Sequence, residues 1–174
     1  MNTPRRGLLI VYTGLGKGKT TAAMGLALRA AGHAMRVVVL QFVKSRQCGE
    51  HEALGRLSDR VEIHTVGTGF VIGHPSAETV AAAKDGLMHA RRVLADGCTD
   101  MLVLDEILAA VKAGLVSEKD LLDLISARPS HVHLVLTGRD APQAIIDRAD
   151  LATEMHCLKH PFDSGLAAQA GIEF

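Results

Sequence analysis

The sequence predicts an α/β fold: a mostly parallel sheet of about six strands flanked by helices, in a single domain spanning residues 1–174. Two observations carry this. Short, continuous apolar runs alternate along the chain with helical patterns. Most of those runs lack the in-and-out alternation of a half-exposed sheet, so both faces of the continuous ones are expected to be covered.

The elements follow in order. Residues 8–12 form an apolar run between Gly7 and a glycine-rich stretch. Residues 20–31 are rich in alanine and end at Gly32, which predicts a helix. Residues 36–42 are β-branched and continuous, and residues 61–66 alternate. A long helix is expected over 76–95, opening at Pro75-Ser76 and closing before Asp96-Gly97. Residues 100–106 are apolar and then abruptly acidic at Asp105-Glu106. Ser117, with Asp120 three residues on, predicts a capped helix running to Ala127, and Pro129 follows it. Residues 131–139 give a fifth strand, a helix follows from Pro142 to Ala149, and residues 152–158 give a weaker sixth strand.

Composition narrows the function. Lys and Arg number 19, as do Asp and Glu, so no basic surface for nucleic acid is expected. No apolar stretch approaches the roughly 20 residues that cross a bilayer, and Arg5-Arg6 precede an apolar run too short for a secretory signal. The three cysteines, Cys48, Cys98 and Cys157, are widely spaced and form no Cys-x-x-Cys pair. Reduced thiols and a cytoplasmic location are the expectation. The histidines place no ligand set on one predicted helix.

The chemistry concentrates at Thr13-Gly14-Leu15-Gly16-Lys17-Gly18-Lys19-Thr20-Thr21, between the first strand and the first helix. In such a unit the loop amides face phosphate oxygens and the helix N-terminus adds partial positive charge. Gly14, Gly16 and Gly18 give the backbone its freedom, Lys17 and Lys19 supply cations, and the Thr20 hydroxyl suits Mg²⁺. The strict pattern for such loops has glycine where Thr13 stands. Asp105 and Glu106, at a strand end, are the expected carboxylates for the cation. Glu106 is also a candidate general base. Arg139 ends another strand, on the side where open α/β sheets bind ligands.

At these residues the chain resembles the ATP-dependent corrinoid adenosyltransferases. The resemblance runs through TGLGKGKTTAAMGLALRAAGH at 13–33, VVVLQFVK at 37–44, GTGF at 67–70, RRVLADGCTDMLVLDE at 91–106, RP at 128–129, LTGR at 136–139 and KHPFDSGLAAQAGIEF at 159–174. It implies a RecA-like P-loop fold and a homodimer. It also implies a reaction in which Co(I) of a corrinoid attacks C5′ of MgATP and triphosphate leaves. Lys19, Glu106 and Arg139 would then serve catalysis, and Thr13 to Thr21 with Phe70 would bind the substrates. Lys159, His160, Phe162 and Asp163 are candidates for closing the site. A flavoprotein is the implied reductant. The chain departs from the family pattern at Val71-Ile72, where Thr-Trp is frequent, and only six residues precede Gly7 where many members carry a helix over the corrinoid. Ile72 leads to the expectation that cobinamide or the a,c-diamide reacts more readily than complete cobalamin under a mild reductant. Two other classes compete: a P-loop kinase or NTPase with Glu106 as base, and a non-catalytic ATP- or corrinoid-binding paralogue. The product separates them, being triphosphate, ADP or nothing.

Overall fold

In a computed structural model of the chain, residues 6–44, 47–69 and 74–173 are described. Among these residues six strands form one sheet: β1 (Leu9–Thr13), β2 (Val37–Gln41), β3 (Val61–Thr65), β4 (Met101–Asp105), β5 (His133–Thr137) and β6 (Leu151–Glu154). Their order is β3-β2-β4-β5-β1-β6, and every pairing is parallel. The helices are α1 (Lys19–Gly32), α2 (Gly49–Gly55), α3 (Ala77–Ala95), α4 (Ile107–Lys112), α5 (Glu118–Ala127) and α6 (Gln143–Ile146), with a 3₁₀ turn at Pro161–Ser164.

The continuous apolar runs are explained by two cores, one on each face of the sheet. Leu9, Val11, Val38, Leu40, Leu102, Leu104, Leu134 and Leu136 point to a core shared with α3, α4, α5 and α6. Their neighbours in sequence, Ile10, Val37, Val39, Met101, Val103 and Val135, point to the other face. There they meet Ala23, Met24, Ala27 and Ala30 of α1 and Leu54 of α2. Successive strand residues alternate faces, so a strand covered on both must be apolar throughout. The alanines of α1 let that helix lie close to the sheet.

Several expected boundaries shift. The last helix is only Gln143–Ile146, with Pro142 as its N-cap. Strand β6 stops at Glu154, and all four of its residues are exposed, as befits an edge strand. Gly32 lies inside α1, and His33 takes the C-cap. Two helices, α2 and α4, stand where the sequence reading placed none. Ser117 caps α5 as expected, accepting from the backbone N–H of Asp120, and Ser76, expected inside the long helix, instead caps α3 by accepting from the N–H of Thr79. The topology gathers the carboxyl ends of β2, β4, β5 and β1 side by side, and the candidate site lies there.

Candidate active site

The glycine loop joins β1 to α1. Gly18 is the N-cap of α1 with φ 108°, a left-handed conformation that a side chain would strain. Gly16 is needed for a different reason. Its N–H donates to the Met155 carbonyl at 2.7 Å, and a Cβ there would stand 2.6 Å from that same oxygen. The backbone leaving β6 thus braces the loop, with Met155 N–H in turn donating to the Thr13 carbonyl at 2.9 Å.

Lys19 is 6% exposed. Its Nζ donates to the carbonyls of Gly14 at 2.8 Å and Gly16 at 2.6 Å. Burial lowers its pKa, against the opposing pull of Glu106 and Asp105. Thr20 Oγ1 donates to Asp105 Oδ1 at 2.8 Å. Asp105 is fully buried and also accepts from Thr137 Oγ1 at 2.7 Å and from Gln41 Nε2 at 3.0 Å. One carboxylate therefore ties together α1, β2, β4 and β5.

Glu106 is a turn in the chain. It adopts φ 60° and forms the N-cap of α4. Its N–H donates to Thr137 Oγ1 at 2.8 Å. Burial raises its carboxyl pKa and the neighbouring Asp105 charge adds to this, while Lys19, Arg139 and Lys44 pull the other way.

Lys17, Lys19, Thr20, Lys44, Glu106 and Arg139, among others, line a cavity of about 600 Å³; Asp105, fully buried, is not among the lining residues. The sequence reading had named five of those six. It missed Lys44, which forms an ion pair with Glu50, and Glu50 itself. Burial disfavours both charges, but their mutual hydrogen bond and the surrounding charges together outweigh it, so Lys44 is raised and Glu50 lowered. It also missed Gly171, Ile172 and Glu173, which line the cavity from the far end of the chain. Lys17 pairs with Glu173.

Other expected residues take other places. The Thr13 hydroxyl accepts from Ala141 N–H at 3.1 Å and is buried, so it anchors the loop after β5 rather than facing the cavity. Leu15 is 69% exposed on the loop's outer side. Lys159, His160, Phe162 and Asp163 lie on the surface around the 3₁₀ turn and are not among the cavity-lining residues. Phe70 and Ile72 fall outside the described residues. Cys48, Glu50 and His51 each bring one possible metal-ligand atom within 4.8 Å of the others. The capping box of α2, in which His51 Nδ1 accepts from Cys48 N–H at 3.0 Å, accounts for that grouping.

Comparison with known proteins agrees with this geometry. A family model described as ATP:corrinoid adenosyltransferase BtuR/CobO/CobP matches residues 5–174. A corrinoid adenosyltransferase of Pseudomonas aeruginosa is 40% identical over 171 residues, covering 97% of this chain and 84% of the relative. The corrinoid adenosyltransferase CobA of Salmonella typhimurium is also 40% identical, covering 97% and 86%. Among solved structures, the flagellar accessory protein FlaH from Methanocaldococcus jannaschii superposes with a TM-score of 0.60 at 16% identity, over 87% of this chain and 71% of that one. A KaiC-like protein from Pyrococcus horikoshii superposes with a TM-score of 0.58 at 21% identity, over 88% and 75%. These two likenesses bear on the fold alone, which is of the RecA-like P-loop type. With its loop, its buried strand-end aspartate and its full-length family match, the chain belongs to the ATP:corrinoid adenosyltransferase family.

Proposed function

We infer that this protein transfers the 5′-deoxyadenosyl group of ATP to Co(I) of a corrinoid and releases triphosphate. The observation that carries the reading is the cavity itself. Lys17, Lys19, Lys44 and Arg139 converge on it from three strand ends, beside a helix N-terminus, in a chain of this family.

The chemistry asks little else of the protein. The electron pair of Co(I) forms the Co–C bond, the C5′–O bond breaks, and triphosphate departs with that bond's electrons. No side chain need act as nucleophile. The cations and loop amides stabilise the charge that grows on the leaving triphosphate, and the site holds C5′ within reach of cobalt. In this reading Lys19 leaves the carbonyls of Gly14 and Gly16 for the phosphates. Arg139 faces the same charge from the loop after β5.

Thr20, Asp105 and Glu106 offer only oxygen donors, the set a hard cation such as Mg²⁺ takes. Three of the roughly four lone-pair sites of Asp105 are used by Thr20, Thr137 and Gln41. That fits a carboxylate holding Mg²⁺ largely through water and through Thr20. When bound, Mg²⁺ would neutralise part of the triphosphate charge.

We extend the reading to a homodimer working in the cytoplasm with a flavoprotein reductant. Support for the dimer comes from the exposed edge strand β6 and from Leu158, Phe162 and Leu166 beyond it, which are 98%, 74% and 50% exposed. Among the described residues no helix is long and apolar enough to cross a membrane. The test of the function is product analysis: triphosphate and an adenosylated corrinoid from ATP and Co(I) corrinoid.

A further inference from the structure

Two lysines of the cavity are already engaged by carboxylates, and the two pairs differ in kind. Lys44 and Glu50 are six residues apart and both largely enclosed, with side chains 22% and 21% exposed. Lys17 and Glu173 are 156 residues apart, with side chains 39% and 23% exposed. The second pair fastens the end of the chain across the phosphate loop. Glu173 Oε2 also accepts from Gln169 N–H at 2.9 Å, and its neighbours Gly171 and Ile172 line the cavity.

Little else among the described residues holds that segment. Residues 161–172 are exposed throughout, and Ile172 is 67% exposed. None of them belongs to either core. The segment is seated on the loop by the charge pair and by its own short backbone turns. A phosphate chain entering the loop presents several negative oxygens to Lys17 where Glu173 presents one carboxylate. The two anions cannot both take the same ammonium in full, and crowding them together costs Coulomb energy.

We propose that Glu173 is a built-in competitor for the phosphate loop: its carboxylate holds Lys17 until a triphosphate group displaces it, and it takes Lys17 back as triphosphate leaves. This rests on the reading of the loop as the ATP site and adds a device to it. The consequence is specific. The tail weakens the hold on ATP and on the released triphosphate alike. It therefore limits inhibition by a product whose charge would otherwise keep it in the loop. The bare nucleoside, having no phosphate, is indifferent to the tail.

The experiment is calorimetric titration of the full chain and of Glu173→Gln with ATP, inorganic triphosphate and adenosine, in the presence of Mg²⁺. A partly exposed ion pair of this kind corresponds to a change of about two- to five-fold. Glu173→Gln is expected to bind ATP and triphosphate tighter by that factor and adenosine no differently. In the Lys17→Ala background the same substitution should have no effect. Amide exchange at 169–173 should speed up in the unaltered protein when triphosphate is added. Equal or weaker triphosphate binding by Glu173→Gln, or exchange that stays unchanged on adding triphosphate, would overturn the proposal while leaving the ATP site intact. If the unaltered protein binds neither ATP nor triphosphate, the site reading itself is wrong and the competitor falls with it.

Discussion

Thr20 Oγ1 donates to Asp105 Oδ1 at 2.8 Å, joining the first turn of α1 to the carboxyl end of β4. Asp105 accepts two further hydrogen bonds in a fully buried position. An asparagine there turns one acceptor oxygen into a donor, so Gln41 or the threonine hydroxyls must reorient or lose a hydrogen bond. Asp105→Asn is expected to lose about 1–3 kcal/mol of stability, read by chemical denaturation without nucleotide. It should also raise the Mg²⁺ concentration needed for half-maximal ATP binding. An unchanged Mg²⁺ requirement would reduce Asp105 to a structural tie.

Lys19→Ala removes the buried cation of the loop. A hydrogen bond to a charged group contributes about 1.5–3 kcal/mol, so ATP affinity should fall roughly 10- to 100-fold. Titration with ATP checks this. Affinity within two-fold of the unaltered protein would show that the phosphates lie elsewhere.

Glu106 supplies a pH dependence with a definite sign. Burial raises its pKa in the folded protein. A raised carboxyl pKa contributes stability that is complete below the unfolded value of about 4.3 and is lost as pH climbs through the folded value. Glu106→Gln should therefore gain stability relative to the unaltered protein as pH rises across that window, measured by denaturant midpoints. If Glu106 also helps hold Mg²⁺, binding of MgATP favours its ionised form. A proton should then be released on binding at acidic pH and no longer in Glu106→Gln, a difference that calorimetry in buffers of unlike ionisation enthalpy resolves.

Gly16 and Gly25 give a contrast within one unit of structure. A Cβ on Gly16 meets the Met155 carbonyl at 2.6 Å, whereas one on Gly25 meets nothing within 4 Å. Gly16→Ala should push the strand exit off the loop and weaken ATP binding. Gly25→Ala, in the exposed middle of α1, should stabilise the fold by about 0.4–1 kcal/mol and leave ATP affinity alone. Thermal unfolding and ATP titration of both variants together check the pair.

Strands β1, β2, β4 and β5 were legible because burial on both faces writes itself as an unbroken apolar run. The meeting of the loop with Glu106 and Arg139 at one cavity, and of Thr20 with Asp105, was legible because a glycine-rich strand–loop–helix unit and an acidic strand end restrict both residue type and spacing. Helix α4 was not. It starts directly after the left-handed turn at Glu106 and is six residues long, too short for a helical repeat to show in the sequence. Helix α2 is seven residues long and is capped by Cys48 and His51, which carry no common capping signal. Gly16 looked like a residue needing positive φ, but its reason is the approach of Met155, which only the pairing of β6 with β1 creates. Lys17 with Glu173 was beyond local pattern altogether, since 156 residues separate them.

The reaction is tested most directly with chemically reduced Co(I) corrinoid, MgATP and the protein, following the visible spectrum and the phosphate products together. The expected result is a Co–C bond and one triphosphate for each corrinoid adenosylated. ADP and phosphate without a Co–C bond, or no product at all from preformed Co(I), would contradict the adenosyl transfer inferred here.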